Sequence, residues 1–294
     1  MTNQRLAHKT METNATQDTI DLIAQHWGLD HISLYYSFQQ RRVFTAIMTE
    51  TNSPVMVKLS TDERTLHHEI IALKTFQGHG CVNLLDTAPA LGAILLERLL
   101  PGQSLETLFP AHDAQTITHA AKVMHLLHGA PVPTDQSLPT LAEWFDRLLH
   151  APSPLLPPTL VATAQRITKE LFATMAPVVL LHGDLHHNNI LASGDNWVAI
   201  DPHGVMGEPL YEVGAFIRNP ITPLLQQDNP VDIIAQRLDA FAQLMHAPRE
   251  RVAAWSFVQA VLAAQWATED DGDPLPWLAV ATILERETTS ENVG

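Results

Sequence analysis

The chain has 294 residues, 46% of them hydrophobic, which is long enough for a large core and for two lobes rather than one. Its formal net charge is −15 with histidine neutral, a field that repels nucleic acid and anionic membrane surfaces and draws in a cationic substrate. The single cysteine, Cys81, excludes an intrachain disulfide. No apolar run is long enough to span a bilayer, and the polar opening Met1–Gln17 is not a secretory leader, so a soluble cytoplasmic protein is expected.

Residues 1–15 hold nothing that can bury a face and read as a flexible tail. Ile20, Ile23 and Trp27 recur at helical spacing after Asp18 and predict a short helix. Strands are expected at Ile32–Phe38, Val43–Met48 and Val55–Leu59, the last two separated by the turn Asn52-Ser53-Pro54. A helix with Leu66, Glu69, Ile70 and Leu73 on one face follows, then strands at Val82–Leu85 and Ala93–Glu97. The pattern is a meander interrupted by one helix. Pro101-Gly102 punctuates the chain, and the pattern beyond it turns helical: Thr116–His128, Leu141–Leu149 and Thr159–Met175, with a proline-rich connection over Pro152–Pro158. A hairpin is expected at Ile190–Ala192 and Trp197–Ile200, joined by Ser193-Gly194-Asp195-Asn196. Helices follow at Tyr211–Arg218, Val231–Met245, Arg249–Thr268 and Trp277–Glu287. The organisation is α+β, with a small β-rich lobe over residues 16–99 and a larger, mainly helical lobe over residues 100–294.

The stretch His182-Gly183-Asp184-Leu185-His186-His187-Asn188-Asn189-Ile190-Leu191 carries the chemistry. It follows the apolar run Val178–Leu181, and a second carboxylate, Asp201, closes Val198-Ala199-Ile200-Asp201-Pro202. Kinase-type phosphoryl transfer needs an Asp to orient and deprotonate a hydroxyl, and an Asn with a further Asp to hold magnesium on the nucleotide phosphates. Asp184, Asn189 and Asp201 supply those groups in that order. Antiparallel pairing would bring Asn189, at a strand entry, and Asp201, at the paired strand's exit, to one side of the hairpin. Taken singly, each is an ordinary cap or turn residue.

Lys58 interrupts the apolar strand Val55–Leu59. It is either an edge residue or a phosphate-contacting lysine oriented by a glutamate on the next helix. Glu69, on the inner stripe, ranks ahead of Glu63 as that partner. Glu97 to Leu99 ends the last strand before Pro101-Gly102 and could offer backbone groups to an adenine.

Sixteen histidines, among them His182, His186, His187 and His203 around Asp184 and Asp201, raise a different reading, a His/Asp metal-dependent hydrolase. Their spacing does not converge well on one ion, and Lys58 would be left without a role. A catalytically dead nucleotide-binding module is disfavoured because Lys58, Asp184, Asn189 and Asp201 are all present. The carboxylates Glu269, Asp270, Asp271 and Asp273, with Glu143 and Asp146, either face a cationic acceptor or form a solvated loop and helix face.

The run His182–Leu191 with Ile200-Asp201-Pro202 resembles the aminoglycoside phosphotransferases, small-molecule relatives of protein kinases. It is most similar to their streptomycin 6-kinase and hydroxyurea kinase branch. Ala93–Leu99, Trp197–Pro202 and Trp255–Ala264 carry the same likeness, which spans about residues 30 to 285. The resemblance implies a two-lobed protein-kinase-like fold using ATP and Mg2+. Asp184 would be the base, Asn189 and Asp201 the metal ligands, Lys58 and Glu69 the phosphate lysine and its partner, and Glu97 to Leu99 the adenine segment. The implied acceptor is an aminoglycoside, streptomycin first, with hydroxyurea or another small metabolite as the alternative. Two features depart from the pattern. The loop Ser37–Arg42 has no glycine to let it approach phosphates, and only Arg41 or Arg42 could bring charge there. Glu212 also stands where relatives commonly carry Asp, a position expected to matter for packing rather than chemistry.

Overall fold

A computed structural model describes residues 17–38 and 40–289; the tail expected over residues 1–15 lies outside the described residues. The chain divides into two compact units, one formed by residues up to Ile70 together with Val82–Arg98, the other by Ile71–Cys81 together with Leu99 onward.

The first unit holds a 5-stranded antiparallel sheet in the order β1-β2-β3-β5-β4. Helix α1 (residues 17–27) precedes β1 (Leu29–Phe38), β2 (Arg41–Met48) and β3 (Ser53–Ser60). Helix α2 (Glu63–Phe76) then leads to β4 (Leu84–Ala88) at the edge and β5 (Ala93–Glu97). The expected meander is therefore corrected at its end: β5, not β4, pairs with β3. Strand β5 is the more apolar of the two and takes the buried position. Side chains on β3 alternate between faces, so Val55, Val57 and Leu59 enter a core with Ile20, Ile23, Phe44, Ala46 and Leu95. At the β4–β5 connection, Gly92 adopts φ +63, and a Cβ there would lie 2.5 Å from the Ser60 carbonyl oxygen.

The second unit is mainly helical. It comprises α3 (Asp113–His128), α4 (Leu141–His150), α5 (Pro158–Ala173), α6 (Tyr211–Ile217), α7 (Ile221–Leu225), α8 (Pro230–Leu244), α9 (Arg249–Glu269) and α10 (Leu275–Thr289). Helix α9 packs against α5, α6, α8 and α10 and is buried along most of its length, with an apolar majority there that suits a helix enclosed by neighbours. Its Trp255 sits edge-on to Tyr211 and Phe145. The expected hairpin forms as β8 (Ile190–Ser193) and β9 (Asn196–Ala199), with Ser193 opposite Asn196. Two pairings were not legible beforehand. Strand β6 (Pro101–Ser104) adds to β8, and β7 (Val179–Leu181) pairs with β10 (Val205–Gly207). Among the described residues, no helix is long and apolar enough to cross a membrane.

Buried ion pairs fasten these helices. Arg237 is fully buried on α8. Its Nε and Nη2 donate to the two oxygens of Asp113 on α3 at 2.8 and 2.7 Å, and its Nη1 donates to the Ile217 carbonyl at 2.9 Å. The guanidinium also lies 5.1 Å from the Phe109 ring centroid. Breaking a buried pair by removing one partner leaves the other charge without compensation. Arg237→Met should therefore lower the unfolding free energy by about 3–5 kcal/mol in urea melts near neutral pH. A loss under about 1 kcal/mol, the size expected of an exposed pair, would show that the bracket is dispensable.

Candidate active site

Lys58 lies on β3, between β2 and β5, opposite Val43 and Ile94. It is thus on a central strand, not an edge, and it is buried to 3% exposure. On the sheet face opposite Val57, its Nζ donates to Oε1 of Glu69 at 2.7 Å. Glu69 is as deeply buried, on the Leu66–Ile70 stripe of α2, whereas Glu63 is exposed at the first position of that helix. Glu97 ends β5, and its carboxylate accepts from the backbone and side-chain N–H groups of Asn83 at 2.8 and 2.7 Å. Leu99, in the second unit, is buried through its side chain. Arg41 and Arg42 open β2 opposite Ser60 and Leu59.

In the second unit, β7 delivers the chain into the loop that holds Asp184. Gly183 stands at φ +92, and a Cβ there would lie 2.7 Å from the Trp144 ring, so glycine is required. Glu212 on α6, fully buried, accepts the backbone N–H of His182 at 2.7 Å and of Gly183 at 2.9 Å through its two oxygens. Position 212 thus has a structural part, as expected, and its carboxylate plays it by shaping the loop. The His182 ring bridges the loop to the hairpin. Its Nε2 donates to the Ile200 carbonyl at 2.7 Å, and its Nδ1 accepts the Asp184 N–H at 3.3 Å. Those partners require a neutral imidazole with the proton on Nε2. Burial, the largest influence, agrees by pushing the His182 pKa down, although Glu212, Asp184 and Asp201 pull it up.

Asn189 closes the other end of the loop. Its Nδ2 donates to the Asp184 carbonyl at 2.9 Å, and its backbone carbonyl accepts from Ile200 N at 2.9 Å. The nitrogen end of the carboxamide is thereby committed, which fixes the direction of the oxygen end. Residue 200 lies across the ladder from residue 189, so Asp201 leaves β9 beside Asn189. Asp201 has φ +65, a left-handed conformation that Asp tolerates and that is unfavourable before proline. Held backbone strain of this kind concentrates at functional sites.

The Asp184 carboxylate is 32% exposed. His186 Nε2 lies 3.5 Å from one of its oxygens and Arg218 Nη2 lies 3.7 Å from the other. Burial alone would push the carboxyl pKa up. The His186 hydrogen bond, with the charges of His186, His203 and Arg218, outweighs burial and holds it well below the usual carboxylate range. Half-buried tryptophans stand close by: Trp144 packs edge-on against His203 and Trp266, and Trp277 covers Arg218.

The acidic residues suggested for an acceptor already have local partners. Glu143 forms the capping box of α4 with Thr140. Asp146 pairs with His150 at 3.0 Å, both well exposed. Glu269 pairs with Arg147 at 2.9 Å. Asp270 is exposed at the end of α9. The His/Asp metal-hydrolase reading fits poorly. Both His182 nitrogens are engaged, and the buried His187 ring stacks on Phe216 with centroids 3.9 Å apart. Among the described residues, no three His, Cys, Asp or Glu side chains converge as a metal-ligand set. Arg218 and the bridging role of His182 were not found from sequence; no local pattern marks either.

Residues 36–272 match the family model described as aminoglycoside/hydroxyurea antibiotic resistance kinase. A streptomycin 6-kinase of Streptomyces glaucescens is 25% identical over 272 residues, covering 89% of this chain and 86% of that protein. A hydroxyurea phosphotransferase of Kitasatospora aureofaciens is 28% identical over 269 residues, covering 88% and 76%. Among solved structures, a thermostable mutant of an aminoglycoside phosphotransferase, in ternary complex with AMP-PNP and hygromycin B, superposes with a TM-score of 0.68. It is 14% identical and covers 93% of this chain and 98% of its own; at that identity it speaks for the fold alone.

The buried imidazoles predict the pH dependence of stability. Burial drives the His182 pKa below its ordinary 6.5 and the His187 pKa well below it. The unfolded chain therefore binds protons that the folded chain refuses. The stabilisation is complete above about pH 6.5 and is lost as the pH falls toward the folded values, at up to about 1.4 kcal/mol per pH unit for each group. His187 has no polar partner on either ring nitrogen. His187→Phe should fold and lose less stability than wild type between about pH 7 and pH 5, by close to one proton's slope. Urea midpoints across that range check this, and parallel profiles for the two proteins would contradict it.

Proposed function

Since the chain belongs to the aminoglycoside/hydroxyurea antibiotic resistance kinase family, we propose that it transfers the γ-phosphoryl group of ATP to a hydroxyl of a small cationic acceptor, with streptomycin the leading candidate. The observation that carries this reading is the loop His182–Asn189. Its backbone is bracketed by Glu212, His182 and Asn189 so that Asp184 stands partly exposed and ionised beside Asn189 and Asp201.

In this reading Asp184 accepts a hydrogen bond from the acceptor hydroxyl, aligns it, and takes its proton as the oxygen attacks the γ-phosphorus and ADP departs. Its depressed pKa keeps it ionised and ready for that contact. Lys58, held by Glu69, contacts the α- and β-phosphates, and backbone groups between Glu97 and Leu99 receive the adenine. With the Glu97 carboxylate occupied by Asn83, that contact falls to the main chain. Asn189 and Asp201 fit magnesium: they offer only oxygen, a carboxamide with its nitrogen already committed and a carboxylate beside it. When bound, the ion would neutralise phosphate charge during transfer. Catalysis is then positioning and charge compensation, with turnover on the order of 1–100 s⁻¹ on a good acceptor.

The acceptor reading rests on the name of the streptomycin 6-kinase relative and on the net charge of −15. Glu269 and Asp270 are the carboxylates that would meet guanidinium or ammonium groups. Glu143 is committed to the cap of its own helix, and Asp146 pairs with His150 on the same helix. The hydroxyurea phosphotransferase relative supports a second acceptor class, small and uncharged.

The test is an ATP-consumption screen against streptomycin, other aminoglycosides, hydroxyurea and sugar alcohols, with product mass measured. Streptomycin should gain one phosphoryl group. Its KM should climb with salt as attraction is screened over about 8–10 Å, while the KM for ATP changes little. Asp184→Ala should fold and lose turnover by roughly 10²–10⁴-fold. A neutral compound turned over faster than any aminoglycoside would overturn the acceptor assignment, and an Asp184→Ala protein with near-wild-type turnover would overturn the mechanism.

A further inference from the structure

Arg218 caps the C-terminal end of α6 and is 5% exposed. A buried guanidinium needs a counter-charge and donors well matched to acceptors, or it destabilises the fold. Nη1 donates to Oε1 of Gln259 on α9, a side chain itself 1% exposed. Gly214 makes room for that side chain, since a Cβ there would lie 2.7 Å from Gln259 Oε1. The guanidinium lies 5.4 Å from the Trp277 ring centroid on α10. Nε, also buried, has no partner. Among the described residues, the ion pair of Arg218 is with Asp184, Nη2 to Oδ1 at 3.7 Å. The group proposed to act on the acceptor is therefore also the counter-ion of a buried arginine.

We propose that Arg218 is a positioning residue for Asp184, a charged brace anchored on α9 by Gln259 and roofed by Trp277, which fixes the rotation of the carboxylate from its protein side. This rests on the phosphotransfer role proposed for Asp184. Arg218 is too buried to meet an acceptor, so it acts through Asp184. His186 holds the other oxygen, Oδ2, at 3.5 Å. With an oxygen engaged from each side, the carboxylate meets the acceptor in one orientation. Misplacement by about 1 Å can cost a factor of about 10² in rate without changing binding. The spacing of 3.7 Å suits this function: it is close enough to orient the charge and too long to take up the lone pairs the hydroxyl needs.

The experiment is a double-mutant cycle on the full chain with Arg218→Met, Asp184→Asn and the pair, plus Arg218→Lys, read by kcat and KM for MgATP and streptomycin and by thermal unfolding. Arg218→Met should lower kcat by about 10- to 100-fold and leave the KM for MgATP within about threefold. Arg218→Lys, which keeps the charge, should recover most of that loss. In the Asp184→Asn background, Arg218→Met should change kcat by less than about threefold, because the group it positions is gone. Asp184→Asn alone should lower Tm by leaving Arg218 without its counter-charge, and adding Arg218→Met should bring Tm back up. Equal kcat losses in both backgrounds, or no loss in either, would overturn the proposal. If Arg218→Met does not fold, Arg218→Lys takes its place in the cycle, with the same non-additivity expected. Should wild type not phosphorylate streptomycin, that acceptor assignment fails and the thermal cycle decides alone: coupled Tm changes support the brace, and additive ones overturn it.

Discussion

Two backbone N–H groups and one buried carboxylate set the shape on which everything else in the site depends. Glu212 accepts from His182 and Gly183 at 2.7 and 2.9 Å, across the β8–β9 hairpin and β10. A buried acceptor left without its donors costs about 1–3 kcal/mol. Losing them would strand the carboxylate, so the bracket and the burial of Glu212 require one another. With that turn fixed, Gly183 can hold its left-handed backbone beneath Trp144, and Asp184 is carried to the surface of the unit. The His182 ring then ties the same turn to the Ile200 carbonyl, one residue before Asp201. Asn189 ties the end of the loop to its beginning. The groups assigned to base and metal therefore share one hydrogen-bonded frame.

Buried ionic contacts recur through the helical unit. Glu208, fully buried, takes both donors of the Arg251 guanidinium fork at 2.6 Å and also the Ala176 N–H. Arg237 does the same work between α8 and α3. In both, a planar guanidinium meets a carboxylate in the two-pronged geometry that makes arginine suited to buried pairs. Arg218 differs. It meets its carboxylate at longer range, and that carboxylate is the most exposed of the three. This contrast sets the ties that hold helices together apart from the brace proposed for Asp184.

Much of this was legible in the chain because it is local. An apolar run interrupted by one lysine announced β3, and helical spacing put Glu69 on the stripe that faces inward; the Lys58–Glu69 contact joins the two. Asp184, Asn189 and Asp201 lie close together in sequence around a hairpin whose turn residues are readable. What escaped was non-local. The swap of β4 and β5 depends on which strand is the more apolar across the sheet, and the β6–β8 pairing joins a Pro-Gly segment to a strand far along the chain. Glu212 read as structural without its partners, because those are backbone groups 29 and 30 positions away, which carry no side-chain signature. The two acidic groups left an acceptor face and a solvated surface both open, and Glu143, Asp146 and Glu269 each take a different neighbour.

The roles proposed for the site divide between two carboxylates: Asp184 toward the acceptor and Asp201 toward the nucleotide's metal. Titration calorimetry of ATP, with and without magnesium, into wild type, Asp184→Asn and Asp201→Asn tests this most directly. Asp184→Asn should bind MgATP within about threefold of wild type, a difference near RT, while Asp201→Asn should lose at least about tenfold of the magnesium-dependent affinity, or about 1.4 kcal/mol. If Asp184→Asn loses magnesium-dependent binding as fully as Asp201→Asn, the two carboxylates share one role and the proposed division fails.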